Sequence, residues 1–157
     1  METRIIELLE WSHETACQVI RLMGELSTRC TCTDESLRNV IADPASHLFC
    51  VMEGQRVVAC ATLCLFHSPT GTKGSVEDVV VAADCRGRHL GRQLMEHLMN
   101  VASADAPIEL HLTSRPSRMA ANRLYESLGF RQKETNCWVW SASQPHDDYL
   151  KQNPATL

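Results

Sequence analysis

The stretch DCRGRHLGRQL, running from Asp84 to Leu94, decides how this chain is read. It is entered from the apolar run Val79-Val80-Val81 and followed by apolar residues at helical spacing. A strand that passes through a glycine-bearing turn into a helix start gathers several backbone N–H groups at one spot. The helix dipole favours negative charge there. Arg86, Arg88 and Arg92 surround the same turn with guanidinium groups suited to paired hydrogen bonds with phosphate oxygens. The physics points to a phosphate-bearing ligand, a pyrophosphate cofactor foremost, against the plainer reading of a basic strand-to-helix loop.

Two standard nucleotide readings do not fit. A triphosphate P-loop ends in Gly-Lys-Ser/Thr, whereas Gly91 is followed by Arg92-Gln93. A dinucleotide fold places its glycines after the first strand, and this turn lies past the middle of the chain.

The residues Val76-Glu77-Asp78-Val79-Val80-Val81 and Arg86-Gly87-Arg88-His89-Leu90-Gly91 resemble the acyl-CoA motif of the GNAT family of N-acetyltransferases, Gln/Arg-x-x-Gly-x-Gly/Ala. A second block, Asn122 to Phe130 with Tyr125 four residues before Gly129-Phe130, resembles the family's late helix. Two departures stand out. His89 replaces the middle glycine, and Arg118 stands seven residues before Tyr125, where the family often has an asparagine that contacts CoA. Histidine tolerates positive φ better than most side chains, which keeps the turn feasible.

The resemblance implies an α/β (α+β) fold of the acyl-CoA N-acyltransferase kind, a mixed, mostly antiparallel sheet with helices on both faces. It implies acetyl-CoA as co-substrate, no metal, and an amine acceptor of unspecified identity, small molecule or protein. Val79, Val80, Val81, Arg86, Gly87, Arg88, His89, Leu90, Gly91 and Arg92 would hold the cofactor, with its pantetheine arm along the strand. By the same resemblance a backbone N–H near Val79 would stabilise the carbonyl oxygen, and Tyr125 would give a proton to the departing sulfur. A phenol is protonated at neutral pH, as that role requires. Packing on the apolar face with Ala121, Leu124 and Leu128 is the plainer role for Tyr125.

Glu77 is the candidate base, directly or through a water, since a lone carboxylate is a weak base at neutral pH. Substrate binding is an equally open role for it. Asp78 points to the other face of a regular strand, unless a bulge intervenes. Glu109 and His111 are reserve candidates on one strand face. Beside direct acetyl transfer in a ternary complex stand two other readings, a non-catalytic CoA-binding regulatory module of the same fold and a generic phosphate-binding protein.

Bulk properties set bounds on these readings. With 157 residues the chain suits one domain, residues 1–142, followed by a polar tail over 143–157. A net charge of −4 gives no general argument for nucleic-acid binding. No apolar run approaches the ~20 residues of a membrane helix, and the N-terminus lacks a signal-peptide plan. A cytoplasmic protein without a membrane partner is the expectation, and a homodimer stays open. The eight cysteines fall mostly in apolar segments without zinc spacing, so reduced, structural thiols are expected. Cys85 alone invites a nucleophile reading, as the minor alternative.

Along the chain, a strand from Thr3 precedes a helix capped by Ser12. A second helix starts near Thr33 and ends at Asp43-Pro44. Residues 48–52 and 57–66 read as a hairpin and 68–74 as a loop before the 76–81 strand. A helix over 88–104 and a strand over 108–112 follow, making a strand–helix–strand unit with an expected right-handed crossover. Pro116 is placed in the first turn of the last helix and Gly129 at its C′ position. A final strand is predicted around 134–140. The predicted order is β-α-α-β-β-β-α-β-α-β.

Overall fold

The computed structural model describes residues 2–27 and 31–142. Both early helices are set by their caps. Strand β1 (Thr3–Glu7) leads to α1 (His13–Leu26), where Ser12 accepts from the Thr15 N–H. Helix α2 (Asp34–Ala42) begins with a reciprocal capping box between Thr33 and Ser36 and ends at Asp43, before proline. Trp11 ties the two together. Its indole N–H donates to Asp34 at 2.8 Å, and the Arg38 guanidinium lies 3.5 Å over its ring.

Strands β2 (Ser46–Glu53) and β3 (Arg56–Ser68) form the predicted hairpin, with Gly54 at φ +61 in the turn. Strand β4 (Gly71–Val81), helix α3 (Leu90–Ala102), strand β5 (Ile108–His111) and helix α4 (Met119–Ser127) follow. The sheet order is β1-β2-β3-β4-β5, antiparallel except for the parallel β4–β5 pair. Helices cover both faces. Leu48 of β2 packs toward Val19 of α1 and Leu37 of α2, while the next residue, Phe49, meets His97 of α3 with ring centroids 4.9 Å apart. Val58, Cys60, Leu63, Leu94, Met95 and Leu98 are fully enclosed at the centre.

Four expectations need correction. Residues 68–74 are not a loop, because β3 turns straight into β4, with Gly71 at φ +124. Gly74 sits within the sheet, where a Cβ would come 2.6 Å from Leu110 Cδ2. The turn formers there serve a tight hairpin and a close β4–β5 approach. Helix α3 starts at Leu90 rather than residue 88, because Gly87 and His89 hold left-handed backbone. Pro116 lies ahead of α4, which starts at Met119. The predicted strand at 134–140 does not form: among the described residues it pairs with nothing, and Trp138 and Trp140 are 80% and 84% exposed. Apolar alternation needs a neighbouring strand edge to satisfy its backbone, and that requirement is invisible in the pattern. The tail over 143–157 lies outside the described residues.

Candidate active site

Strand β4 is paired on both sides only in its first half. Its parallel partners in β5 run from Thr72↔Ile108 to Ser75↔His111 and then stop, while pairing with β3 continues to Val81. The Ala82 N–H donates to the Val58 carbonyl, so Val80, two residues earlier, also turns its polar groups toward β3. The Val79 carbonyl and the Val81 N–H therefore face the unpaired edge. Within this half the register slips by one residue against Cys60 and Thr62, and Asp78 takes φ +56. That is a β-bulge, and aspartate is one of the few side chains that accept left-handed backbone.

Beyond the last β4–β5 pair a cavity of about 610 Å³ opens. Val76, Glu77, Asp78 and Val79 form one wall, and residues 112–118 with Tyr125 form the other. The Ser75 hydroxyl donates to Glu77 Oε1. Burial and the neighbouring Glu77 charge raise the Asp78 carboxyl above its ordinary value. The Ser114 hydroxyl is buried in the second wall without a hydrogen-bond partner among the described residues.

Five residues after Val81 the chain reaches the glycine turn. Gly87 has φ +77 and His89 has φ 60, ψ 14, and His89 occupies the N-cap of α3 without a side-chain cap bond. The first intrahelical donor is Gln93, to the His89 carbonyl, so the preceding N–H groups of the helix start have no intrahelical acceptor. Such donors at a helix start favour an anion. The side chains around it divide differently from expectation. Arg88 donates to Glu53 at 2.5 Å, and Arg92 donates to Glu96 and, at 2.5 Å, to Ser127. Arg86 places only its Nε on the Val81 carbonyl, at 3.3 Å, and its terminal nitrogens bond no described residue. The turn is braced by Arg56, whose two nitrogens each reach Asp84 at 2.8 Å and hold its carboxyl down at about 2.

Tyr125 is held by the end of its own helix. The Phe130 N–H donates to the Tyr125 carbonyl and the Gly129 N–H to the Glu126 carbonyl, both at 3.0 Å, with Gly129 at φ +91. This is a Schellman motif, and its hydrophobic contact is the edge-on Tyr125–Phe130 ring pair at 6.1 Å. The Tyr-x-x-x-Gly-Phe spacing is thus a helix-stop that aims a phenol into the cavity. Tyr125 is 7% exposed, and burial pushes its phenol above 10, with Arg118 pulling weakly the other way.

Other sequence candidates lie elsewhere. Glu109 pairs with Lys133 and with His111, and neither Glu109 nor His111 lines the cavity. Cys85 is buried, with Arg88 Nη1 3.6 Å from its sulfur. The seven cysteines among the described residues are all free thiols, and burial pushes Cys50 up to about 12. Apart from Arg118, no residue of the 112–118 wall was expected at the site from the sequence. Its signal is the run Thr113-Ser114-Arg115 after a strand, too polar for core and too short for a loop with its own structure. Among the described residues, no helix is long and apolar enough to cross a membrane.

A ligand with a pyrophosphate at one end and an amide-bearing arm fits these features. The α3 start offers N–H donors, the Val79–Val81 edge offers a carbonyl and an N–H to pair with, and Ser114 is an orphaned hydroxyl in the cavity wall. Comparisons with known proteins agree. A ribosomal protein bS18-alanine N-acetyltransferase of Salmonella typhimurium is 37% identical over 73 residues, 46% of this chain and 49% of that protein. A glucosamine 6-phosphate N-acetyltransferase of Arabidopsis thaliana is 31% identical over 91 residues, 52% of this chain and 61% of the relative. The matches thus span about half to three-fifths of these relatives' lengths. An aminoglycoside acetyltransferase from a soil metagenomic sample shares the fold, with a TM-score of 0.77 at 15% identity over 90% of this chain and 97% of that one. The sequence profile described as the Acetyltransferase (GNAT) family matches residues 6–130, and the chain belongs to that family.

Proposed function

We propose that this chain is an acetyl-CoA-dependent N-acetyltransferase that passes acetyl to a primary amine by direct attack in a ternary complex. The observation that carries the reading is the open half of β4. Its unpaired edge borders the cavity that Tyr125 lines, and the same stretch of chain leads through the glycine turn to the N–H groups at the start of α3. Both curated relatives carry in their names an acceptor with a primary amine, an alanine and a glucosamine.

When bound, acetyl-CoA supplies an activated acyl thioester. The chain's residues do the rest. The start of α3, Gly87, His89, Leu90 and Gly91 with Arg86, binds the phosphates, while the Arg88 and Arg92 side chains stiffen the turn through their ion pairs. Val79 and Val81 orient the arm through their backbone groups, and Val80 anchors the strand to β3. A backbone N–H near Val79 stabilises negative charge on the carbonyl oxygen. Glu77 takes a proton from the amine, directly or through a water, and Tyr125 Oη gives its proton to the departing sulfur. Burial raises that phenol above its ordinary value, so it carries its proton at neutral pH.

Calorimetric titration tests the reading without thiol-reactive dyes. Saturable binding of acetyl-CoA, clearly tighter than ADP, is the expected result. Failure of a folded protein to bind it would remove the transferase reading.

A further inference from the structure

A second chamber, about 200 Å³, lies behind Asp78 between the two early helices and the sheet. Val19 and Met23 of α1, Leu37 and Val40 of α2 and Leu48 of β2 give it apolar walls, and Thr31, Cys32 and Thr62 also line it. The Ser36 hydroxyl, at its side, is spent on both directions of the Thr33 cap. Asp78 is the one carboxylate lining it, and no basic side chain lines it, among the described residues. Asp78 also lines the large cavity, because the bulge at φ +56 sets it where the two spaces meet. An apolar space somewhat smaller than this one takes a benzene ring.

From this geometry we propose that the acceptor is a primary amine carrying a compact apolar group of aryl or branched-aliphatic size, the ammonium held at Asp78 and the group seated in the chamber. The inference rests on the acetyl-transfer reading above. A hydroxyl-rich or phosphorylated acceptor would lose water in this chamber and find only the Thr31 and Thr62 hydroxyls there, with no cation among the described residues for a phosphate, so its polar groups disfavour it. An apolar group gains by leaving water, and the ammonium keeps an ionic partner at the mouth.

Initial rates at saturating acetyl-CoA, read by mass spectrometry of the N-acetyl product, test this with 2-phenylethylamine, isoamylamine, ethanolamine and glucosamine 6-phosphate. The expected kcat/KM is at least ~10-fold higher for the two apolar amines, as a buried methylene or two confers. Val40→Phe should raise KM for 2-phenylethylamine ~10-fold and leave ethanolamine unchanged, whereas Asp78→Asn should raise KM for both. Preference for glucosamine 6-phosphate, or equal losses on every amine in Val40→Phe, would overturn the assignment. Direct titration of the unmodified protein with 2-phenylethylamine covers the case of a misfolded variant. Acetyl-CoA binding without 2-phenylethylamine binding overturns this inference alone, while loss of acetyl-CoA binding overturns the transferase reading.

Discussion

The two halves of β4 share one strand and differ in everything that matters for chemistry. In the first half, residues 71–75, β3 and β5 pair on either side, and Gly74 is pressed between Leu110 and the Cys64 carbonyl. In the second half, β5 is gone, the register slips at Asp78, and backbone groups face an open cavity. A fully paired backbone has nothing left to offer a ligand, whereas an unpaired edge is a row of donors and acceptors awaiting a partner. The closed half sets where β5 ends, and so where the cavity begins.

The largest effect should come from the open half. Tyr125→Phe removes the proton donor while keeping the ring against Phe130, so kcat should fall about 10²-fold, or about 2.7 kcal/mol in activation free energy, with acetyl-CoA affinity nearly unchanged. Steady-state kinetics beside calorimetry would read this. Lost affinity with normal kcat would make Tyr125 a binding residue instead.

Gly74→Ala attacks the closed half. The new methyl meets Leu110 Cδ2 at 2.6 Å and the Cys64 carbonyl at 3.2 Å, so the Leu110 side chain must give way and the β3–β4 contact tightens. Overpacking of this kind costs about 1–3 kcal/mol, measurable by urea denaturation. If the closed half frames the cavity, acetyl-CoA affinity should weaken as well. An unchanged affinity in a destabilised variant would separate the two halves energetically.

The starts of the two early helices and the stop of the last were legible in the sequence, whereas the division of β4 was not. Ser12 and Thr33 announce helix starts because caps are local chemistry, and Tyr125 with Gly129-Phe130 reads correctly because a Schellman stop spans six residues. What failed to show depends on distant partners. The glycines of 71–74 suggest a loop until Leu110 is seen packed on Gly74. Arg88 and Arg92 suggest phosphate ligands until Glu53 and Ser127 claim them, 35 residues away in either direction. The apolar pattern of 134–140 suggests a strand, yet pattern cannot supply an edge to pair with. The chamber behind Asp78 is equally invisible, since it is a gap between three elements.

Gly87→Ala probes the turn that continues the open half. Nothing lies within 4 Å of the added methyl, so the penalty is conformational, from φ +77. A left-handed L-residue costs roughly 1–2 kcal/mol. The substitution should weaken acetyl-CoA more than it weakens the fold if the turn relaxes toward ordinary backbone. Lost stability with unchanged affinity would mean the turn holds its shape or contributes no phosphate contact.

The smallest expected effect concerns the brace on that turn. Arg56 holds the Asp84 carboxyl at about 2, against an ordinary 3.8. A depressed acid stabilises the fold fully above its unfolded pKa and loses that contribution as pH falls through its folded one. The stabilisation from Asp84 should therefore be constant above about pH 5 and fade between roughly 4 and 2. The pair is exposed, so salt weakens it and the gain is modest. Thermal midpoints of the protein and of Asp84→Asn should run parallel near neutrality and converge in that acidic window. A constant gap down to pH 2 would mean that Asp84 stabilises the turn by hydrogen-bond geometry that asparagine cannot copy, rather than by its charge.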